Sequence, residues 1–112
     1  MAVIYWRQSW EEATAEAKKA NRPLLLELYL DGCPHCQRLD QETHADAAVA
    51  KAVNEGFIPV RLEGRGHMDL VKKLEVRGAP TTIIFSAEGK EIKRFAGFLP
   101  PQEYLRELQG AT

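Results

Sequence analysis

The chain lacks several features that would assign it to other classes of protein. Its 112 residues hold only two cysteines and carry a net charge of −1. This near-neutral charge gives no electrostatic attraction for nucleic acid or for an anionic membrane surface. No apolar run approaches the length that a membrane-spanning helix needs. We therefore expect neither a nucleic acid nor a membrane as a partner.

A secretion signal is also absent from the first ten residues, which contain no basic region followed by an apolar stretch and a small-residue cleavage site. We therefore expect a cytoplasmic protein, or a periplasmic one if a signal peptide has been removed. The chain has no internal repeats, linkers or low-complexity segments. Because its length suffices for one hydrophobic core, we expect a single domain over residues 1–112 and a monomer.

The order of the predicted elements indicates an α/β fold, with a central mixed sheet and helices on both faces. Residues 24–30 form a nearly continuous apolar run, which is typical of a strand buried on both sides. Alternation of strands and helices, then a hairpin and a closing helix, favours a mixed sheet. The other predicted strands are 3–6, 57–62, 81–86 and 91–95, and the predicted helices are 10–20, 33–43, 46–54, 68–75 and one from 101 onward.

Two features place the ends of these elements. Ser9 and Asp46 are predicted N-caps, because each precedes a helical pattern and offers a side-chain oxygen to unpaired backbone N–H groups. Pro59 removes one donor from its strand and therefore predicts a position near the end of a strand or at the edge of the sheet.

The two cysteines follow the apolar run as Cys33-Pro34-His35-Cys36. A Cys-x-x-Cys at a strand-to-helix junction in a βαβ pattern is typical of a redox-active dithiol. The first N–H groups of a helix lack internal partners and the helix dipole is positive there, so a sulfur at that end is stabilised as thiolate. Pro34 suits the first turn because its missing N–H would be unpaired in any case.

Other uses of the cysteine pair stay open. A structural disulfide would close a loop of four residues and add only about 2 kcal/mol of stability. A closed zinc site needs four ligands, and the sequence offers no second Cys-x-x-Cys or His-x₃-His. We therefore predict no metal site within one chain. Gln37 after Cys36 excludes the Cys-x-x-Cys-His haem pattern.

The chain resembles the thioredoxin superfamily, and most of all its small single-domain members, through three motifs that follow one another along the sequence. They are Glu27 in the strand before the cysteines, the Cys33-Pro34-His35-Cys36 turn, and Gly78-Ala79-Pro80-Thr81 before the hairpin. The resemblance extends from about Trp6 to Leu108. It implies a thioredoxin fold and a thiol–disulfide oxidoreductase that needs no cofactor beyond its own redox-active disulfide.

The resemblance also implies a role for each matching residue. Cys33 is expected to attack a substrate disulfide and Cys36 to resolve the mixed disulfide. Pro80 is expected to be cis beside the dithiol, with the Ala79 backbone pairing to an extended substrate segment. Gly32 belongs to the same substrate-binding surface and stands where thioredoxins usually carry tryptophan.

The partners that this chemistry implies are a substrate and a recycling protein. The substrate would be a disulfide-containing protein or a small thiol, and a reductant or an oxidant would restore the dithiol or the disulfide. His35 can place a positive charge or a donor near the Cys33 sulfur, which predicts a dithiol more oxidising than a Gly-Pro version.

Glu27 is expected to be a buried general base. Burial between leucines raises the pKa of a carboxyl group, so Glu27 could take the proton of Cys36 during resolution. The alternatives are an exposed position or a pair with Arg61. His44 and His67 lie in polar stretches without a second ligand at a useful spacing, and we expect both on the surface.

Two other classes of function are compatible with the same residues. The fold could be a binding or chaperone module in which the dithiol is incidental, since a fold alone does not decide function. Alternatively, Cys33 and Cys36 of two chains could share a metal ion or an iron–sulfur cluster.

Overall fold

The computed structural model describes residues 2–111, and a four-stranded sheet forms its centre. The strands are β1 (Leu24–Tyr29), β2 (Ile58–Glu63), β3 (Thr81–Phe85) and β4 (Glu91–Ala96). Their spatial order is β2-β1-β3-β4. β1 runs parallel to β2 and antiparallel to β3, and β3 pairs antiparallel with β4. The sheet is therefore mixed, which confirms the predicted fold class.

Helices connect the strands in the order that the sequence predicts. A π-helical segment, Leu39–His44, continues the second helix, and a 3₁₀ turn, Gly64–His67, precedes the fourth. The α-helices of the described residues are α1 (Trp10–Ala20), α2 (Pro34–Arg38), α3 (Ala47–Gly56), α4 (Met68–Lys73) and α5 (Pro101–Gln109).

The two predicted N-caps are confirmed. Ser9 Oγ accepts a hydrogen bond of 3.2 Å from the Glu12 N–H at the start of α1. The Asp46 carboxylate accepts two bonds of 3.1 Å, from the N–H groups of Ala48 and Val49 at the start of α3. These bonds satisfy donors that the first turn of a helix leaves unpaired.

β1 separates two hydrophobic clusters. Leu24, Leu26 and Leu28 pack into one cluster with side chains of α1 and α4, and Leu25 packs into the other with side chains of α3 and α5. Because successive strand side chains point to opposite faces, Glu27 shares the face of Leu25. A carboxylate therefore enters the cluster formed with α3 and α5.

The sheet register sets the neighbours of that carboxylate. Glu27 lies opposite Arg61 on β2 and opposite Thr82 on β3. β2 is an edge strand of the sheet. The edge position that Pro59 predicts is therefore confirmed.

The strand predicted at residues 3–6 is wrong. Within residues 2–111, only Arg7 pairs with the outer edge of β2, through one isolated parallel bridge. The Asn54 side chain instead binds the backbone of this segment, donating to Val3 O at 2.8 Å and accepting from Tyr5 N at 3.0 Å. An α3 side chain thus occupies backbone groups that a strand would need for its ladder, and α1 becomes the first regular element.

The helix predicted at 33–43 forms, but its second half is the π-helical segment. Hydrogen bonds in a π-helix run from i to i+5, so Leu39 and His44, five positions apart, both lie against the core. His44 is only 4% exposed, and the prediction that it lies on the surface is wrong. His67 is half-buried, and its Nδ1 lies 2.9 Å from Glu63 O.

Candidate active site

The turn after β1 brings the first cysteine to the end of a helix. Gly32 adopts φ +79°, a left-handed conformation that side chains disfavour. The Cys33 N–H donates to Leu30 O at 3.2 Å, and Cys33 is the N-cap of α2 with Pro34 in the first turn. The predicted position of the dithiol at a strand-to-helix junction is confirmed.

The Cys33 sulfur lies where the helix offers an unpaired donor. Its Sγ accepts the Cys36 N–H at 3.2 Å, and the side chain is partly exposed. A hydrogen bond to a charged acceptor is stronger than one to a neutral acceptor, so this N–H and the helix dipole both favour a negatively charged sulfur. Substrate can reach the same atom from solvent.

Cys36 has the opposite environment. It is 3% exposed, and burial, followed by the hydrogen bond with Cys33, raises the pKa of its thiol well above the usual range. The negative charge of Glu27 adds to this rise. Both cysteines are free thiols in this structure. Of the two sulfurs, only the outer one is therefore suited to attack a substrate from solvent.

The loop before β3 closes the other side of the dithiol. The Ala79–Pro80 peptide bond is cis, as the resemblance implies. Ala79 O lies 3.7 Å from Cys33 Sγ and accepts its thiol hydrogen. Gly97 N donates to Pro80 O at 2.8 Å, which ties this loop to the end of β4. The structure thus brings Cys33 next to Ala79, with Pro80 buried behind this contact and Gly32 exposed beside Cys33.

Glu27 lies beneath this surface. Its side chain is 1% exposed and accepts a hydrogen bond of 2.8 Å from Thr82 Oγ1. Burial raises the pKa of Glu27 to about 7, against the lowering effects of His44, Thr82 and Arg61. The predicted burial is confirmed, and with it the direction of the pKa shift.

Arg61 does not neutralise Glu27 by a direct ion pair. Its guanidinium carbon instead lies 3.7 Å from the centre of the Tyr29 ring, which is a cation–π contact. In the described residues no ion pair joins Arg61 to Glu27. The alternative of an exposed or directly paired Glu27 is therefore excluded.

His35, like Pro34, is exposed in the motif. Its side chain projects from the first turn of α2, and in the part of the chain described here it makes no hydrogen bond or ion pair. It is free to approach a bound substrate or the Cys33 sulfur. Its effect on the redox chemistry stays a prediction.

Three residues near Glu27 escaped the sequence reasoning. His44 and Tyr104 are buried on the inner side of the site, and the exposed Asp40 has its Oδ1 3.2 Å from His44 Nδ1. Tyr104 shares one helical face with Leu105 and Leu108 in the sequence, but no sequence signal connects it to the cysteines. The π-helical register that turns His44 inward has no such signal either.

Neither a metal cluster nor a membrane span is found in residues 2–111. No group of three or more histidine, cysteine, aspartate or glutamate side chains there is placed to hold a metal ion. None of the helices is both long enough and apolar enough to cross a bilayer.

Known proteins are similar to this chain in both sequence and fold. Over 104 residues the chain is 33% identical to the thiol:disulfide interchange protein DsbD of Yersinia enterocolitica, a match that covers 88% of this chain and 18% of the relative. The DsbD of Ralstonia nicotianae is 30% identical over 105 residues, covering 90% and 17%. The chain thus spans less than a fifth of the length of these curated relatives.

Solved structures give the same fold. The DsbH oxidoreductase superposes with a TM-score of 0.86 at 18% identity, covering 98% of this chain and 85% of that one. A thioredoxin from Thermus thermophilus superposes with a TM-score of 0.85 at 24% identity, covering 98% and 87%. Residues 10–112 also match the family model described as "Thioredoxin-like domain". The chain therefore belongs to the thioredoxin-like family.

Proposed function

We propose that this chain is a thiol–disulfide oxidoreductase whose dithiol reduces or exchanges disulfides in a protein or in a small thiol. The observation that carries this proposal is the position of Cys33 Sγ, which accepts the Cys36 N–H at 3.2 Å at the start of α2 and stays open to solvent. The DsbD relatives are named as thiol:disulfide interchange proteins, which supports the same reaction class.

The first step of the proposed reaction takes place at Cys33. Its thiolate attacks one sulfur of the substrate disulfide, a mixed disulfide forms, and the other substrate sulfur leaves as a thiolate. The Cys36 N–H and the positive end of α2 stabilise the attacking sulfur. The Ala79 carbonyl, 3.7 Å from the same sulfur, is well placed to pair with the backbone of an extended substrate segment.

The second step takes place at Cys36. Its thiol proton passes to the Glu27 carboxylate, and the resulting thiolate attacks Cys33 Sγ and expels the second substrate thiolate. The substrate gains two electrons and the chain ends as a Cys33–Cys36 disulfide. A base with a pKa of about 7 matches this task near neutral pH.

The substrate segment is proposed to lie along the exposed Gly32 and the partly exposed Ala79, beside the buried Pro80. An apolar groove of about 210 Å³ adjoins Ala79, and Met68 on its wall is half exposed. This groove offers a place for an apolar side chain near the substrate cysteine. The other apolar side chains of the groove are Leu28, Leu30, Val71 and Val76, and Arg65 and Arg77 also line it.

Recycling needs a partner, which we propose to be a separate dithiol reductant or, where the flow is reversed, an oxidant. The direction depends on the reduction potential of the compartment as well as that of the chain. A cytoplasmic location and a monomeric state stay predictions. Cell fractionation and gel filtration measure them directly.

The test is insulin reduction with dithiothreitol, run on the wild type beside Cys33→Ser and Cys36→Ser. We expect the wild type to accelerate insulin precipitation and Cys33→Ser to have no activity above the background. An inactive wild type that carries a tightly bound metal would favour a site shared by two chains. An inactive wild type without metal would favour a binding or chaperone module.

A further inference from the structure

A cluster of buried polar side chains surrounds Glu27 in an otherwise apolar core. Thr82 from β3, His44 from the π-helical segment and Tyr104 from α5 are each at most 4% exposed. Thr82 donates to Glu27 at 2.8 Å, and the Tyr104 hydroxyl lies close enough to Thr82 to interact electrostatically. The rings of Tyr104 and His44 have centroids 5.7 Å apart. The four side chains therefore form one buried polar cluster, in which the Tyr104 hydroxyl has no hydrogen-bond partner among residues 2–111.

His44 is fixed in this cluster on several sides. Its ring makes T-shaped contacts with Trp6, at a centroid distance of 5.1 Å, and with Tyr104. Its Nδ1 lies 3.2 Å from the carboxylate of Asp40. Its Nε2 is buried and, within residues 2–111, has no hydrogen-bond partner. Buried polar atoms without a partner are uncommon, and this one belongs to the cluster around the proposed base.

We propose that His44 is a positioning residue for Glu27: its imidazolium, paired with Asp40, supplies the buried positive charge that keeps the Glu27 carboxylate ionised and ready to accept the proton of Cys36. This inference rests on the proposed function. The charge of His44 is the strongest of the influences that lower the Glu27 pKa, ahead of the Thr82 hydrogen bond and of Arg61.

The other charged and titratable groups around Glu27 do not replace His44. Arg61 on β2 stacks on the Tyr29 ring and lowers the Glu27 pKa less than His44 does. Asp40 acts on Glu27 directly in the opposite sense and raises its pKa. Tyr104 stays neutral, because burial raises the pKa of its phenol well above the usual range.

The Cys36 thiol is the remaining titratable neighbour. Burial raises the pKa of this thiol, and the negative charge of Glu27 adds to the rise. The supply of ionised Glu27 therefore depends, in this proposal, on a residue outside the Cys-x-x-Cys motif.

The test follows the Glu27 carboxyl carbon by NMR during a pH titration of the reduced full chain. His44→Phe keeps an aromatic ring between Trp6 and Tyr104 and removes the charge. We expect the Glu27 pKa to rise by about one unit, since an opposite charge nearby shifts a carboxyl pKa by this order. His67→Phe is the matched control, and its Glu27 titration should equal that of the wild type.

The same variant should slow the Cys36 step in a characteristic way. With the Glu27 pKa one unit higher, the ionised fraction at pH 7 falls about fivefold, so resolution of a trapped mixed disulfide should slow about fivefold there. The rate at pH 9 should return to that of the wild type, because Glu27 is then ionised in both proteins. A purely structural role would slow the step equally at every pH.

Two results would overturn the inference: an unchanged Glu27 titration in His44→Phe, or a loss of rate that does not depend on pH. If His44→Phe does not fold, His44→Gln removes the charge with a smaller polar side chain and should give the same upward shift. The NMR titration needs no activity. An inactive wild type in the insulin assay would therefore reject the proposed function, whereas the NMR titration would still test the coupling of His44 to Glu27.

Discussion

Replacement of Glu27 by glutamine should change the stability of the fold in a pH-dependent way. The Glu27 side chain is 1% exposed, and burial raises its pKa from 4.5 to about 7. The folded state therefore holds a proton that the unfolded state has lost between these two pH values. The stability that this carboxyl group contributes is present below pH 4.5 and is lost as the pH rises through 7.

The size of the effect follows from the shift. One pKa unit corresponds to about 1.4 kcal/mol, so a rise from 4.5 to about 7 makes burial of the ionised form cost about 3 kcal/mol. Glutamine is similar in size, cannot ionise, and can still accept the Thr82 hydrogen bond. We expect Glu27→Gln to match the wild type at pH 4 and to exceed it by about 3 kcal/mol at pH 8.

Urea unfolding of the reduced proteins at pH 4 and pH 8 measures this difference. Glu88→Gln, in the exposed turn between β3 and β4, is the matched control and should leave the free energy of unfolding nearly unchanged at both pH values. An equal effect of Glu27→Gln at pH 4 and pH 8 would show that Glu27 does not titrate between them, and would refute the reasoning.

Four further predictions follow from named contacts. In the exchange reaction, Glu27→Gln should slow resolution of the mixed disulfide more than the initial attack, as stopped-flow traces can separate; equal slowing would count against a base. Thr82→Val should raise the Glu27 pKa above about 7, seen by NMR, because a hydrogen bond to the ionised carboxylate is lost. His35→Gly should make the reduction potential more negative, by about 30 mV for each 1.4 kcal/mol of lost thiolate stabilisation; an unchanged potential would remove His35 from the chemistry. Asp46→Ala should lower the free energy of unfolding by about 1 kcal/mol, because two N-cap hydrogen bonds are lost; an unchanged midpoint in urea would contradict this.

The parts of the fold that sequence reasoning predicts well depend on short-range patterns. The Ser9 and Asp46 caps act within three residues of themselves, and both form as expected. The burial of Glu27 follows from the leucines beside it, which leave a central strand no exposed face. The dithiol turn is likewise contained in four consecutive residues.

The parts that sequence reasoning misses depend on long-range contacts or on an unusual helix register. Asn54 binds the backbone of residues 3–5 from about fifty positions away, and these two bonds use backbone groups that the predicted first strand would need. His44 turns inward because its helix changes to π geometry after Arg38, a change without a local sequence signal. The sequence offers Arg61 two neighbours, Glu27 and Tyr29, and only the packed structure shows that its guanidinium stacks on the Tyr29 ring.

The most direct measurement of the proposed chemistry is a trapping experiment with the two cysteine variants. Cys36→Ser and Cys33→Ser are each incubated with a disulfide-bonded peptide, and intact mass spectrometry then measures the covalent adduct. If Cys33 is the attacking sulfur, Cys36→Ser accumulates close to one peptide per chain and Cys33→Ser accumulates almost none. Equal adducts on both variants, or a preference for Cys36, would contradict the assignment of the helix-terminal sulfur as the nucleophile.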